Sequence, residues 1–263
     1  MTAYAKNRDV AMVEQLNTEA IVKYDLKPSK HRTNALILAY CKSGDALNAE
    51  KVLREMVKEG LRPDAITYTT VIDAYKRQRK IDKCWELYDY FSANLGLEGD
   101  GKDPDEFMLG YMVRLCAATH DSEKAILIFN TMEQHGYVRH AIPYNSIMFA
   151  LASTKRYSEK ALEYWRQMHV HNVVPDRHTF VAALKACSQL GDVKTAFDIL
   201  QEMKLHAFPM TEHVYNELIR VYAGACRLPH VPEKEVDMYL EDAMALFRTI
   251  ERDEKNEGVE VNI

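Results

Sequence analysis

A spacing of 35 residues recurs along this chain of 263 residues. Tyr40 and Tyr75 are 35 positions apart, and so are Met168 and Met203. A fixed period of this length indicates a repeat architecture, in which each unit is one supersecondary element. Such a unit cannot bury its apolar face alone, so neighbouring units must stack into a solenoid.

Each repeat has the pattern of a helical hairpin. We number a repeat from its first helical residue, and apolar or aromatic residues then recur at positions 4, 7, 8 and 11, as in Tyr68, Val71, Ile72 and Tyr75. Spacings of three and four place these residues on one face of a first helix. A turn follows, often with Gly-Asp, and a second helix then carries a small residue, two large apolar residues and a Met. A Gly such as Gly60 ends the second helix.

The pattern predicts one all-α solenoid over residues 1–263. Its repeats cover about residues 1–29 (partial), 30–64, 65–105, 106–140, 141–176, 177–211 and 212–251, and residues 252–263 form a tail or the start of another repeat. Residues 92–103 and 226–242 lengthen repeats two and six, and we expect both insertions to be loops. Because the chain begins inside a hairpin, we expect it to be a fragment or a processed product.

Composition excludes several classes of protein. The 34 basic and 39 acidic residues give a formal charge of −5, which does not indicate a nucleic-acid binder at the level of the whole chain. No apolar run approaches the ~20 residues needed to span a membrane. The five cysteines form no CxxC pair, so we expect reduced thiols in an intracellular compartment. The N-terminal residues do not form a targeting presequence, so any presequence is absent from this chain.

Catalytic and metal-binding motifs are missing from the sequence. It contains no HExxH, no GxxxxGK[ST] and no GxSxG. His169 and His171 are two residues apart and therefore lie on different faces of a helix. We expect no enzymatic activity, no metal, no cofactor and no small-molecule substrate.

The stretch ITYTTVIDAYKR, preceded by AEKVLREMVKEGLRPD, resembles the pentatricopeptide repeat. The resemblance covers about residues 4–251, and the 35-residue period distinguishes it from the 34-residue tetratricopeptide repeat. It implies a right-handed superhelical α-solenoid of about six to seven helix-turn-helix repeats. It also implies an organellar protein that binds single-stranded RNA, in mitochondria or alternatively in chloroplasts.

The same resemblance implies which residues read RNA. In the family, positions 5 and 35 of a repeat read one base, and position 2 packs against it. The implied base-reading residues are Asn34, Asp64, Thr69, Asp105, Asn145, Asp176 and Asn216. The implied base-stacking residues are His31, Ile66, Phe107, Ile142, His178 and His213. The Asn-Asp pairs of repeats one and four correspond to uracil, and the Thr-Asp pair of repeat two corresponds to guanine.

Basic residues follow the same stripe of the first helices at positions 9 and 12, or at its rim, whereas acidic residues are frequent on the second helices. This distribution indicates a basic groove in an acidic shell, which suits contact with phosphates. The predicted phosphate-binding residues are Lys42, Lys76, Arg77, Arg114, Lys185 and Arg220.

Two main functions agree with these features. The first is binding of single-stranded RNA in the groove, in organellar RNA processing, stability, editing or translation. The alternative is a protein-protein scaffold in a mitochondrial ribosome or an RNA-processing complex, with little base readout. Repeats three and five favour the scaffold, because Gly110 and Val181 at position 5 offer a base little to bond. An RNA-processing enzyme would need a catalytic domain outside these residues.

Overall fold

The computed structural model describes residues 1–96, 106–229 and 231–257, and within them it contains fourteen α-helices and no strand. The helices are α1 (Thr2–Lys6), α2 (Val10–Val22), α3 (Lys30–Ser43), α4 (Ala46–Lys58), α5 (Ala65–Arg77), α6 (Ile81–Gly96), α7 (Glu106–Thr119), α8 (Ser122–Gln134), α9 (Ala141–Leu151), α10 (Lys155–Val170), α11 (Arg177–Leu190), α12 (Val193–Leu205), α13 (Glu212–Ala225) and α14 (Glu233–Glu257).

The first helices of the six repeats are the odd-numbered helices from α3 to α13. Each of them begins at the residue that the sequence pattern numbers as position 1, and each is followed by a second helix. Helices α1 and α2 are the leading pair that the sequence predicts before residue 30. The predicted all-α class is confirmed, whereas a single solenoid over residues 1–263 stays a prediction.

The helices form two compact units, Met1–Tyr111 and Met112–Ile263. In the first unit, α3 packs against α1, α2, α4 and α5, and α5 packs against α6. In the second unit, α11 packs against α9, α10, α12 and α13, and α13 packs against α14. Within each unit, therefore, first helices of adjacent hairpins contact each other as well as their own second helices.

The turns inside the hairpins of repeats one and five are set by Gly-Asp pairs. Gly44 and Gly191 end α3 and α11 in the left-handed conformation, which Gly adopts at little cost. The next residue, Asp45 or Asp192, caps the second helix, and its carboxylate accepts a hydrogen bond from the backbone N–H three residues later at 3.1 and 3.0 Å. Such a cap contributes about 1 kcal/mol.

The predicted packing face of the first helices forms the core. Repeats two to five bury all four residues of this face, and α9 illustrates it with Tyr144, Ile147, Met148 and Leu151 fully buried. In repeats one and six the face is partly exposed. The second helices contribute their predicted set, and the Phe129 ring on α8 lies 5.5 Å from the ring of Tyr144. Core formation therefore determines which stripe of each first helix is left at the surface.

The two predicted insertions are more helical than expected. Residues 233–242 were predicted to be loop but form the first turns of α14, and residues 92–96 continue α6. Acidic residues in the first turn favour the start of α14, and the Tyr239 ring lies 5.9 Å from that of Tyr222. The remainder of the first insertion lies outside the described residues.

Helix α13 closely approaches α11 and the residue that ends it at two glycines. A Cβ placed on Gly224 would lie 2.7 Å from the backbone oxygen of Ser188, and one placed on Gly191 would lie 2.7 Å from the backbone nitrogen of Ala225. Both neighbours are backbone atoms, which cannot rotate away. A side chain at Gly224 would therefore force the two helices apart.

We expect Gly224→Ala to lower the free energy of unfolding by about 1–3 kcal/mol, because it overpacks this contact. In a helix without such a contact, Gly→Ala stabilises by about 1 kcal/mol. The sign of the change, measured by urea unfolding, is therefore the test. The neighbouring exposed Ala223→Gly is the control for helix propensity alone. A Gly224→Ala variant as stable as the wild type would contradict the close approach.

Candidate functional site

Position 2 of every first helix lies at the surface. His31, His178 and His213 are exposed there. Ile66, Phe107 and Ile142 are 64%, 50% and 55% exposed, and no other large apolar side chain of the described first helices is exposed to this degree. The exposure of three large apolar side chains at the same position of their repeats is not explained by packing within the described residues.

Asn145 and Asp176 form the most complete of the predicted base-reading pairs. The Asn145 Nδ2 group donates to both carboxylate oxygens of Asp176 at 3.0 Å. The Thr179 hydroxyl donates to Asn145 Oδ1 at 2.6 Å, and Asp176 caps α11 by accepting from the Thr179 backbone N–H at 2.9 Å. Asn145 is 7% exposed, so this small polar network is nearly enclosed.

The equivalent pair in repeat one is more open. Asp64 caps α5, and its Oδ1 accepts from the Thr67 backbone N–H at 2.9 Å and from the Thr67 hydroxyl at 2.7 Å. The same hydroxyl lies 3.2 Å from Asn34 Oδ1. Lys30 Nζ lies 2.9 Å from the other oxygen of Asp64.

Asp64 is ionised over the whole physiological range. Partial burial by itself raises the pKa of this carboxyl group, but hydrogen bonds from Lys30 and Thr67 outweigh that effect and lower the pKa to about 2. The pair in repeat one therefore presents a carboxylate, which can only accept hydrogen bonds.

The remaining predicted base-reading residues are not brought together in this way. Thr69 is buried, and its hydroxyl donates to the Ile66 backbone oxygen at 3.1 Å. Its predicted partner Asp105 lies outside the described residues. Asn216 donates to Glu212 on its own helix at 3.4 Å. The structure thus joins Asn145 directly to Asp176 in repeat four, and it connects Asn34 to Asp64 through the Thr67 hydroxyl in repeat one.

Carboxylates lie against three of the predicted phosphate-binding residues. Lys76 Nζ is 2.7 Å from Asp73 Oδ1, and Arg77 pairs with the other oxygen of Asp73. Arg220 Nη1 is 2.6 Å from Oε1 of Glu217, whose side chain is buried. Glu217 lies at position 6 of its repeat, outside positions 9 and 12, so the pattern of the basic stripe does not include it. These ion pairs partly neutralise the predicted basic stripe.

The other predicted cations have different surroundings. Lys42 and Arg114 are exposed, and Lys185 Nζ lies 6.0 Å from the centre of the Phe149 ring. In the second unit, Arg220 also lines an open cavity of about 410 Å³ with Lys155 and Arg227. The sequence pattern did not identify these last two residues, because neither occupies a stripe position.

The part of the chain that the structure describes forms no candidate metal centre. Its His, Cys, Asp and Glu residues form no group of three that could hold a metal ion, and none of its helices is long and apolar enough to cross a membrane. All five cysteines are free thiols. Burial raises the pKa of Cys41, Cys116 and Cys187 to about 12, and that of Cys84 to about 11.

Family models match three stretches of the chain. The PPR repeat family matches residues 28–77, the PPR repeat matches residues 66–91, and the pentatricopeptide repeat domain matches residues 165–225. Residues 28–91 and 165–225 are therefore pentatricopeptide repeats. They include the first helices α3, α5, α11 and α13 of the candidate site.

Curated relatives share about a quarter of their aligned residues with this chain. The mitochondrial 15S rRNA processing factor ppr3 of Schizosaccharomyces japonicus is 24% identical over 196 residues, which are 73% of this chain and 28% of that protein. A chloroplastic pentatricopeptide repeat-containing protein of Arabidopsis thaliana is 24% identical over 223 residues, 83% of this chain and 28% of that protein. The chain thus spans less than a third of the length of these relatives.

Solved structures show the same fold. The pentatricopeptide repeat protein PPR10 in complex with an 18-nt psaJ RNA element matches with a TM-score of 0.62 and 19% identity, over 92% of this chain and 33% of that one. PPR10 from maize matches with a TM-score of 0.60 and 18% identity, over 94% of this chain and 38% of that one. The predicted α-solenoid class is confirmed by this likeness.

The ionisation of Asp64 gives a testable pH dependence. Its pKa of about 2 in the folded chain lies below the ordinary value of 3.8. Its contribution to stability is therefore fully present above about pH 4, and it is lost as the pH falls through about 2. We expect the difference in melting temperature between the wild type and Asp64→Asn to shrink over this interval.

Comparing the two proteins cancels the other carboxyl groups that titrate over the same interval. Lys30→Met is the matched variant, since removing the charge of Lys30 raises the pKa of Asp64 in the folded chain. The contribution of Asp64 to stability is then lost at a higher pH. A difference in melting temperature that stays constant from neutral pH to about pH 2 would show that Asp64 is not held as a carboxylate by Lys30 and Thr67.

Proposed function

We propose that this chain binds single-stranded RNA along the exposed stripe of its first helices. The observation that carries the proposal is the exposure of the side chain at position 2 in each first helix. This side chain lies three residues before position 5, which in repeats one and four is the Asn of a polar pair. Residues three apart share one face of a helix, so a base packed on Ile142 would present its edge to Asn145. RNA-binding repeat proteins read one base per repeat in this manner.

The base preference proposed for each repeat follows from its polar residues. The Asn34-Asp64 and Asn145-Asp176 pairs would read uracil, and Thr69 with Asp105 would read guanine. His31, Ile66, Phe107, Ile142, His178 and His213 would pack against successive bases. Repeats three and five carry Gly110 and Val181 at position 5 and would accept a base with little discrimination.

Phosphate contacts would come from the basic residues of the same stripe. Lys42, Arg114 and Lys185 would bind the backbone together with Lys76, Arg77 and Arg220. The carboxylates of Asp73 and Glu217 reduce the charge that the last three can offer. Salt dependence of binding would therefore be moderate for a surface with this number of cations.

The proposed setting is organellar RNA metabolism, with the mitochondrion ahead of the chloroplast. Support comes from the relatives, of which one is named a mitochondrial 15S rRNA processing factor and another a chloroplastic protein. PPR10 in complex with an RNA element supports the mode of binding. We propose that the described repeats bind RNA and do not themselves catalyse a reaction.

A scaffold in a ribonucleoprotein complex is the second candidate. The neutralised cations favour it, because Lys76, Arg77 and Arg220 already have carboxylate partners. Exposed apolar residues on second helices, such as Leu127 and Phe197 at 68% and 56%, favour it as well. A scaffold would use these second helices, whereas RNA binding uses position 2 of the first helices.

One matched pair of variants separates the two candidates. Ile142 and Leu127 are both exposed aliphatic residues of the second unit, on a first helix and a second helix respectively. We expect Ile142→Ala to weaken binding of a fluorescent oligo(U) RNA about 5-fold, at the lower end of what one packed base contributes. Leu127→Ala is expected to leave binding unchanged in the same anisotropy titration.

Equal losses of affinity from the two substitutions would contradict the proposed surface. If binding is salt-sensitive and neither substitution changes it, the surface would bind phosphates without packing against bases. A wild-type chain with no affinity for oligo(U), oligo(C) or oligo(A) would favour the scaffold.

A further inference from the structure

We propose that Thr67 and Thr179 set the base specificity of the repeats that precede them, by fixing the orientation of the Asn amide at position 5. Each Thr occupies position 3 of the next repeat and contacts the Asn across the boundary between two hairpins. This inference rests on the proposed function, since it concerns how the Asn-Asp pairs distinguish bases. Both are positioning residues, which act through Asn34 and Asn145.

The hydrogen bonds around Asn145 admit only one orientation of its amide. The Thr179 hydroxyl oxygen already accepts from the Asp176 backbone N–H at 2.9 Å, so its single proton is available for donation. It lies 2.6 Å from Asn145 Oδ1 and 3.2 Å from Asp176 Oδ1, and the shorter distance assigns the proton to the amide oxygen. The atom of the amide that faces this hydroxyl must therefore be an acceptor.

The other end of the amide faces a group that can only accept. The Asp176 oxygens lie at equal distances of 3.0 Å from Asn145 Nδ2, which suits one N–H shared between them. A reversed amide would bring a carbonyl oxygen against this carboxylate and lose both contacts. The second N–H of the amide remains for a ligand, so the pair presents a donor and not an acceptor.

A fixed donor distinguishes the two pyrimidines. Uracil carries a carbonyl oxygen at ring position 4, whereas cytosine carries an amino group there. The free N–H of Asn145 can donate to the carbonyl but meets another donor in cytosine. Without the hydroxyl of Thr179, Asp176 alone would hold the amide, and the buried amide oxygen would lose its donor. The orientation of the amide would then be fixed less firmly, so the discrimination would weaken.

Repeat one contains a looser version of the same arrangement. The Thr67 hydroxyl is 2.7 Å from Asp64 Oδ1 and 3.2 Å from Asn34 Oδ1, the reverse of the order at Asn145. Its proton is therefore directed mainly to Asp64, and Lys30 occupies the other carboxylate oxygen. The orientation of Asn34 is held less firmly, so removal of Thr67 should change specificity less than removal of Thr179.

The distribution of Thr along the chain supports the same assignment. Position 3 of the six repeats is occupied by Arg32, Thr67, Met108, Pro143, Thr179 and Val214. Thr occurs twice, and both times it follows a repeat with Asn at position 5 and Asp as its last residue. Capping alone would not require this coincidence, because α3 begins with a Ser cap and an Arg at position 3.

The test compares Thr179→Val with Thr179→Ser. Val has nearly the shape of Thr but no hydroxyl, and Ser keeps the hydroxyl. Affinities for labelled oligo(U) and oligo(C) RNAs of about twelve nucleotides, long enough to cover every repeat at one base each, give a U-to-C preference. We expect Thr179→Val to reduce this preference by roughly 10-fold, as the loss of one hydrogen bond to a buried polar group allows, and Thr179→Ser to retain it.

The ratio of the two affinities separates specificity from stability. A purely structural role of Thr179 would weaken both RNAs together and leave the ratio unchanged. A folded Thr179→Val protein with the same U-to-C ratio as the wild type would therefore overturn the proposal. If the wild-type chain in that experiment prefers oligo(U), the proposed function itself stays intact. A wild-type chain without affinity for either RNA would instead contradict the proposed function itself.

Thr67→Val provides the second test, because Thr179 is fully buried and its replacement can unfold the second unit. We expect Thr67→Val to lose less of the U-to-C preference than Thr179→Val does. If Thr179→Val does not fold, the loss in Thr67→Val is the one that can be measured. An unchanged ratio for Thr67→Val, with Thr179→Val unfolded, would also overturn the proposal. Thermal melting of each variant establishes which case applies.

Discussion

The carboxylate of Asp176 joins two neighbouring hairpins. It caps the first helix of repeat five through the Thr179 backbone N–H, and it holds the Asn145 amide that projects from the first helix of repeat four. Asp64 caps α5 in the same way beside Asn34. The geometry of the candidate site therefore depends on where a helix begins, and a displaced cap would disturb both the stack and the polar pair.

Packing of the hairpins explains why the site lies on the first helices. Positions 4, 7, 8 and 11 are buried between neighbouring helices, most completely in repeats two to five. Positions 2 and 5 lie beside this buried face, so position 2 is exposed, whereas position 5 is buried or half-buried at its edge. One side chain can then contact a flat ring while the other meets its polar edge.

The period of the sequence accounts for most of the fold. Each of the six first helices begins where the pattern places position 1, since apolar spacing, caps and turns all repeat with the hairpin. The helical character of residues 233–242 was missed, because Pro232 and the acidic cluster that follows resemble a loop but also favour a helix N-terminus. Contacts between Tyr239 and Tyr222, distant in sequence, stabilise that helix.

The site was predictable only in part. Positions 2 and 5 follow from the resemblance, and their role in reading RNA stays a prediction. The pattern within a single repeat does not single out Thr67 or Thr179. Their role follows only from their contact with the Asn of the preceding repeat. Asp73 and Glu217 lie three or four residues before the cations with which they pair on the same helix, so this spacing in the sequence could have predicted the ion pairs.

Selection from a randomised single-stranded RNA library on the purified chain, at physiological salt, tests the central claim most directly. The account predicts enriched RNAs with uracil, guanine and uracil in the register of repeats one, two and four, and loss of the second uracil on selection with Asn145→Ala. Enrichment of no sequence, or of a sequence that Asn145→Ala leaves unchanged, would contradict base reading by the Asn-Asp pairs.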